Sequence, residues 1–159
     1  YLLNPPHPRS YWRQKTCRSN ARQLGLALQV YAYENEQRLP SVRDWPERMR
    51  PHLRSSSPAL FHCPSAPEEP NLSYGMSHRL DGIALKSPSA AQQADAAVFF
   101  DGRGAFVIER HDDGANYAFL DGHVKWLEDP SEGIRVLSGA QREQAVIPWS
   151  RAPGGRLKF

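Results

Sequence analysis

The sequence predicts an α+β domain in which one long N-terminal helix lies on a four-stranded antiparallel sheet. Three stretches carry that reading. Cys17, Ala21, Leu24, Leu28 and Tyr31 recur at three- or four-residue spacing, the period of a single helix face. The apolar run AAVFF at 96–100, closed by Asp101-Gly102-Arg103-Gly104, reads as a buried strand with 105–109 as its antiparallel partner. The segments 116–120 and 123–127 flank Asp121-Gly122, the strongest short-range hairpin signal. Four strands in succession make a meander able to cover one face of the helix.

In chain order, Pro5, Pro6 and Pro8 deny the first residues a regular helix, so 1–12 is expected as a linker. The helix is expected over 13–35, ending near Gln37 ahead of Leu39-Pro40. Arg18, Arg22 and Gln29 fall outside its apolar stripe, with Asn20 at the flank. Leu26, Val30 and Tyr33 lie on the far side, which predicts that loops as well as the sheet cover its second half. Gly25 costs about 1 kcal/mol relative to alanine in a helix interior and suggests a close approach to the sheet. Asp44 as a cap, Pro46 in the first turn and Glu47 at capping-box spacing predict a short second helix. Trp45 and Met49 share its inner face, and Pro51 stops it near Arg50.

The stretch 55–70 is rich in Ser and Pro and reads as loop. Ser87-Pro88-Ser89 opens a further helical turn that ends near Ala94. A two-residue type I′ turn at Asp121-Gly122 sets the hairpin register, pairing Leu120 with His123, Phe119 with Val124, Ala118 with Lys125 and Tyr117 with Trp126. Tyr117, Phe119, Val124 and Trp126 then form the core face. Ala118, Leu120, His123 and Lys125 form a mixed face nearer solvent. Beyond Trp126 the periodicity is weak: Ile134, Val136 and Leu137 suggest a short segment, and 138–159, with Ala152-Pro153-Gly154-Gly155, reads as a mobile tail.

At 159 residues the chain suits one domain with a real core, and 14 Pro with 11 Gly point to many loops. The net charge of +3 is uneven: residues 1–60 hold ten Lys/Arg against four Asp/Glu, and 61–159 hold ten against thirteen. Arg9, Arg13, Lys15, Arg18 and Arg22, with Tyr11 and Trp12 beside them, suit an anionic lipid surface or a nucleic acid, as well as an ordinary solvated face. No run approaches the roughly 20 apolar residues that span a bilayer. The sequence shows no phosphate-binding glycine loop, no Gly-x-Ser-x-Gly elbow and no His-Glu-x-x-His. Cys17 and Cys63 belong to no Cys-x-x-Cys motif, leaving either two thiols or one disulfide.

His111, nine intervening residues and Asp121-Gly122 match the motif that names the prepilin-type processing-associated H-X9-DG family. GANYAFLDGHVKWL resembles that family's C-terminal signature, and CRSNARQLGLALQVYAYENEQRLP resembles the helix that follows its membrane segment. ALFHCPSAP and SYGM resemble its connecting blocks. The similarity covers about 17–127 in the family's order. The family is similar to type II secretion pseudopilins and type IV pilins, so the resemblance implies a pilin-like fold for 13–137 and a non-enzymatic role. It implies anchorage in the inner membrane, facing the periplasm or cell exterior, through a segment ending near Tyr1-Leu2-Leu3. The expected partners are pilin-like or secretion-system subunits. An oxidising compartment favours the Cys17–Cys63 disulfide.

The polar cluster around the motif is the candidate for chemistry. His111, Asp112 and Asp113, with Asp121 and His123 beside them, offer oxygen and nitrogen ligands, and calcium is the first alternative because pseudopilins as a group include calcium binders. The preferred reading is turn chemistry alone, with a His111 ring nitrogen bonded to backbone at the entry to the hairpin, so no cofactor is expected. The competing functions are an extracytoplasmic ligand- or DNA-binding module and a metal-dependent hydrolase.

Overall fold

The computed structural model describes residues 8–54, 57–68, 71–85, 90–104, 106–128, 151–152 and 156–158. The expected linker at 1–7, Ser87-Pro88-Ser89, the segment with Ile134, Val136 and Leu137, and Pro153-Gly154-Gly155 lie outside them.

The first element is a 26-residue helix, α1 (Arg9–Glu34). It opens earlier than residue 13 because Pro8 is the last proline before Pro40 and sits at the N-cap, where it obstructs no intrahelical bond. It ends where Glu36 and Gln37 adopt left-handed backbone, with φ of 55° and 59°. All five residues of the expected stripe, Cys17, Ala21, Leu24, Leu28 and Tyr31, are buried. The far side is not covered as expected: Leu26 is 41%, Val30 46% and Tyr33 79% exposed.

Helix α2 (Trp45–Met49) buries Trp45 and Met49 and runs on into a 3-10 turn at Arg50–His52. The Asp44 carboxylate does not cap it; it accepts instead from Arg48 Nε–H at 2.8 Å. Within the expected loop 55–70, Pro58–Phe61 forms a 3-10 turn that buries Leu60 and Phe61. A short α3 (Ala90–Asp95) precedes the central strand.

Strands β1 (Tyr74–Met76), β2 (Ala97–Arg103), β3 (Phe106–Val107), β4 (Ala115–Phe119) and β5 (Val124–Leu127) are all antiparallel to their partners. β2 is central: it pairs with β1, β3 and β4, and β4 pairs in turn with β5. The expected four strands are thus joined by a fifth, and the order is not a meander, because β3 and β4 each pair with β2 and not with each other. Asp101-Gly102 does not stop β2, since Gly102 and Arg103 still pair with Val107 and Phe106. Two short strands in the segment read as a tail, β6 (Arg151–Ala152) and β7 (Arg156–Lys158), pair with each other, and β7 pairs with β3.

The hairpin register differs by one residue from the expected one. Ala118 pairs with Val124, Tyr117 with Lys125 and Asn116 with Trp126. The loop holds three residues: Gly122 N–H donates to Phe119 C=O at 2.9 Å, and Phe119 N–H donates to His123 C=O at 2.9 Å. Gly122 alone has positive φ, +86°, so this is a type I turn closed by a glycine bulge. With a side-chain period of two, that single step exchanges faces. Ala118, Leu120 and Val124 join Leu24, Leu28 and Val98 in the helix-side core. Tyr117 and Phe119 turn away and pack with Ala97, Phe100 and Val107 in a second cluster. Gly25 does mark a close approach of helix and hairpin: a Cβ there would lie 3.4 Å from Gly122 Cα and 3.7 Å from Ala118 Cβ.

Candidate functional site

Three distant parts of the chain converge on His111. Cys17 comes from the middle of the α1 stripe and Cys63 from the loop after the Pro58–Phe61 turn, and the two are joined as a disulfide with a Cα–Cα distance of 5.1 Å. Asp101 comes from β2, where its side chain is fully buried. His111 is held by a two-residue turn: its N–H donates to Gly114 C=O at 3.1 Å and its C=O accepts from Gly114 N–H at 3.0 Å. The two central residues, Asp112 and Asp113, have φ of 51° and 59°. The type I′ geometry expected at Asp121-Gly122 therefore occurs here, on aspartates, which tolerate left-handed backbone better than most side chains. Trp126 Nε1–H donates to His111 C=O at 2.7 Å and fixes this turn against β5.

His111 is only 4% exposed, and among the described residues its ring makes no bond to backbone of the kind expected. Its Nε2 lies 3.5 Å from Cys63 Sγ and 3.5 Å from Asp101 Oδ2. The second distance exceeds a hydrogen bond and describes a contact. Asp101 Oδ2 accepts from Asn116 N–H at 2.7 Å and from Asn116 Nδ2–H at 2.8 Å, whereas Asp101 Oδ1 has no hydrogen-bond partner among the described residues. Burial pushes the Asp101 carboxyl up to about 6, against the two Asn116 bonds and the nearby Arg110 charge. Burial likewise pushes the His111 imidazole down to about 4, helped by Arg110 and opposed by Asp112. Both shifts favour neutral forms, so the pair is a buried polar contact and not an ion pair. Tyr74, whose hydroxyl donates to Cys17 C=O at 3.3 Å, is also held protonated by burial and by Asp101.

No family model, curated protein or solved structure gives a significant match to this chain.

The other sequence-predicted residues lie apart from this cluster. Asp112 and Asp113 are exposed in their turn, so the expected trio with His111 is not gathered around one point; the group that is gathered is Cys17, Cys63 and His111, whose ligand atoms all lie within 4.8 Å of one another. Asp121 Oδ1 accepts from His123 N–H at 3.0 Å and also contacts the His123 ring. Gly122 touches α1, where Gln29 Nε2–H donates to Leu120 C=O at 3.2 Å. Arg9, Arg13, Lys15, Arg18 and Arg22 are all exposed along the first half of α1. Lys15 Nζ lies over the Tyr11 ring at 4.6 Å, Trp12 is 56% exposed, and Arg18 Nη2–H donates to Val124 C=O at 3.2 Å. Farther along α1, an open groove of about 470 Å³ runs past Leu26, Val30, Tyr33, His52 and Arg54.

Sequence reasoning did not single out Asp101, Asn116 or the indole of Trp126. Asp101 followed by Gly102 reads as a turn, and nothing local to it signals a buried carboxylate. The one available hint is its place directly after AAVFF, where a continued strand carries it inward.

Proposed function

We propose that this domain is a non-enzymatic, pseudopilin-like module of the H-X9-DG type, anchored in the inner membrane on its N-terminal side and facing the periplasm or cell exterior. It acts by contacting pilin-like subunits of a secretion or pilus system. The observation that carries the reading is the two-sided apolar character of α1: one side is sealed against the sheet while Leu26, Val30 and Tyr33 remain exposed beside a groove. An apolar helix side left open in this way suits packing against another helix. The basic first half of α1, with Tyr11 and Trp12, suits the place where a helix leaves an anionic bilayer surface. The buried disulfide suits an oxidising compartment. Among the described residues no helix is long and apolar enough to cross a membrane, so the anchor is assigned to sequence outside them.

A photo-crosslinking residue in place of Tyr33 of the full-length protein, in its native cells, tests this. The expected product is a membrane-associated adduct with a pilin-like subunit, absent when the probe replaces the buried Leu28. A protein recovered without membrane association or such an adduct overturns the reading. Salt-sensitive retention of DNA through the five α1 cations would instead support the nucleic-acid alternative.

A further inference from the structure

The cluster around His111 has more chemistry than a helix-packing role uses. Two sulfurs and an imidazole nitrogen from three separate segments lie within 4.8 Å of one another in a buried space, and the buried Asp101 carboxylate touches the imidazole from a fourth. The two contacts to His111 Nε2, from Cys63 Sγ and Asp101 Oδ2, are both 3.5 Å. That spacing is long for an N–H···O hydrogen bond. It does match the edge of a zinc coordination tetrahedron, since Zn–N, Zn–O and Zn–S bonds of about 2.0–2.3 Å give ligand–ligand edges of about 3.3–3.8 Å. Asp101 also keeps a buried oxygen without a hydrogen-bond partner among the described residues. The backbone already fixes His111 through its turn with Gly114 and the Trp126 bond, and Asn116 orients Asp101. Metal sites use such outer contacts to hold their ligands in place.

We propose that reduction of the Cys17–Cys63 disulfide converts this cluster into a tetrahedral zinc site ligated by Cys17 Sγ, Cys63 Sγ, His111 Nε2 and the Asp101 carboxylate. In the oxidised protein the sulfurs are bonded to each other and offer no thiolate. A thiol or phosphine reductant supplies two electrons, the S–S bond breaks, and two protons complete the thiols. Zinc binding then releases those two protons as both thiolates form Zn–S bonds, with neutral His111 and ionised Asp101 as the other ligands. Two thiolates with an imidazole and a carboxylate suit borderline-soft Zn²⁺ and leave a net charge of −1, which nearby Arg110 offsets. The site depends only on the disulfide and its neighbours, so it stands independently of the proposed assembly role.

The test uses the whole chain, reduced with a phosphine, desalted under argon and titrated with Co²⁺ as a spectroscopic probe. The expected result is one Co²⁺ per chain, with thiolate-to-cobalt charge-transfer bands and the intense visible bands of tetrahedral cobalt, all abolished by one equivalent of Zn²⁺. Oxidised protein should show none of these bands. His111→Ala and Asp101→Asn should each weaken reduced-state binding by about tenfold or more and alter the visible bands. Zinc should also raise the melting temperature of reduced protein while leaving the oxidised protein unchanged. Reduced protein without cobalt bands overturns the proposal. So do bands that are identical in parent, His111→Ala and Asp101→Asn, because an unfolded chain binding through its cysteines alone would give that result.

Discussion

Burial acts on Asp101 and His111 in opposite senses, and the consequence is measurable in the oxidised protein. Asp101 is raised from 3.8 to about 6, so its stabilising contribution is full below about pH 3.8 and is lost as pH rises through about 6. His111 is lowered from 6.5 to about 4, so its contribution is full above about pH 6.5 and is lost as pH falls through about 4. Between those limits the two trends oppose each other in the parent. Single variants should separate them. Relative to the parent, Asp101→Asn should gain stability as pH rises from 4 to 6, while His111→Gln should lose it, each by up to about 1.4 kcal/mol per pH unit. Urea midpoints measured across that range decide the matter; differences that do not vary with pH would mean that neither group is neutralised by burial. Sequence alone could flag His111 through the motif spacing, but not its partner, because the carboxylate lies on another strand and looks like a turn residue.

The hairpin shows how far local signals reach at the level of an element. Asp-Gly satisfies two turns equally well: the centre of a type I′ loop, or the last two residues of a three-residue loop with a glycine bulge. Only the fit against α1 separates them, since the observed register puts Ala118, Leu120 and Val124 against the helix and brings Gly122 beside Leu26 and Gln29. The helix stripe was legible because it repeats over many residues. The strand Tyr74–Met76 was not, because three residues carry no periodicity and its place is set by pairing with β2. Gly122→Val tests the turn. It forces a β-branched residue to φ +86° and places a Cβ 3.4 Å from both Gln29 Nε2 and Leu26 Cδ2. The backbone strain alone costs about 1–3 kcal/mol. Gly104→Val carries comparable strain, at φ +59°, but has nothing within 4 Å of the added Cβ. Both variants should unfold at lower urea than the parent, Gly122→Val at the lowest. If Gly104→Val proves as damaging as Gly122→Val, the turn does not bear on the helix.

For the whole molecule, the Cys17–Cys63 bond connects the long helix to the far end of the chain's first connecting region. The two cysteines are 46 residues apart, and both are fully buried where α1 meets the sheet. Closing a loop of that length restricts the unfolded chain by about 4 kcal/mol in the chain-entropy view, with about 2–4 kcal/mol the usual measured range. Residue spacing left two thiols or one disulfide open, and only the family resemblance favoured the disulfide, because spacing says nothing about which distant segments the fold brings together. The same blindness hides the His111 cluster, whose members come from residues 17, 63, 101 and 111 with no local pattern. The expected outcome is a native protein that resists alkylation and whose intact mass rises by two hydrogens on reduction. Reduced protein, kept free of metal, should unfold at a lower temperature and lower urea than the oxidised form. Cys17→Ala with Cys63→Ala should lose a similar amount plus a cavity contribution, since two buried sulfurs leave space behind. Equal stability of oxidised and reduced protein would show that packing between α1 and the sheet holds this region without the covalent link, and two thiols alkylated in the native, unreduced protein would show that the link does not form.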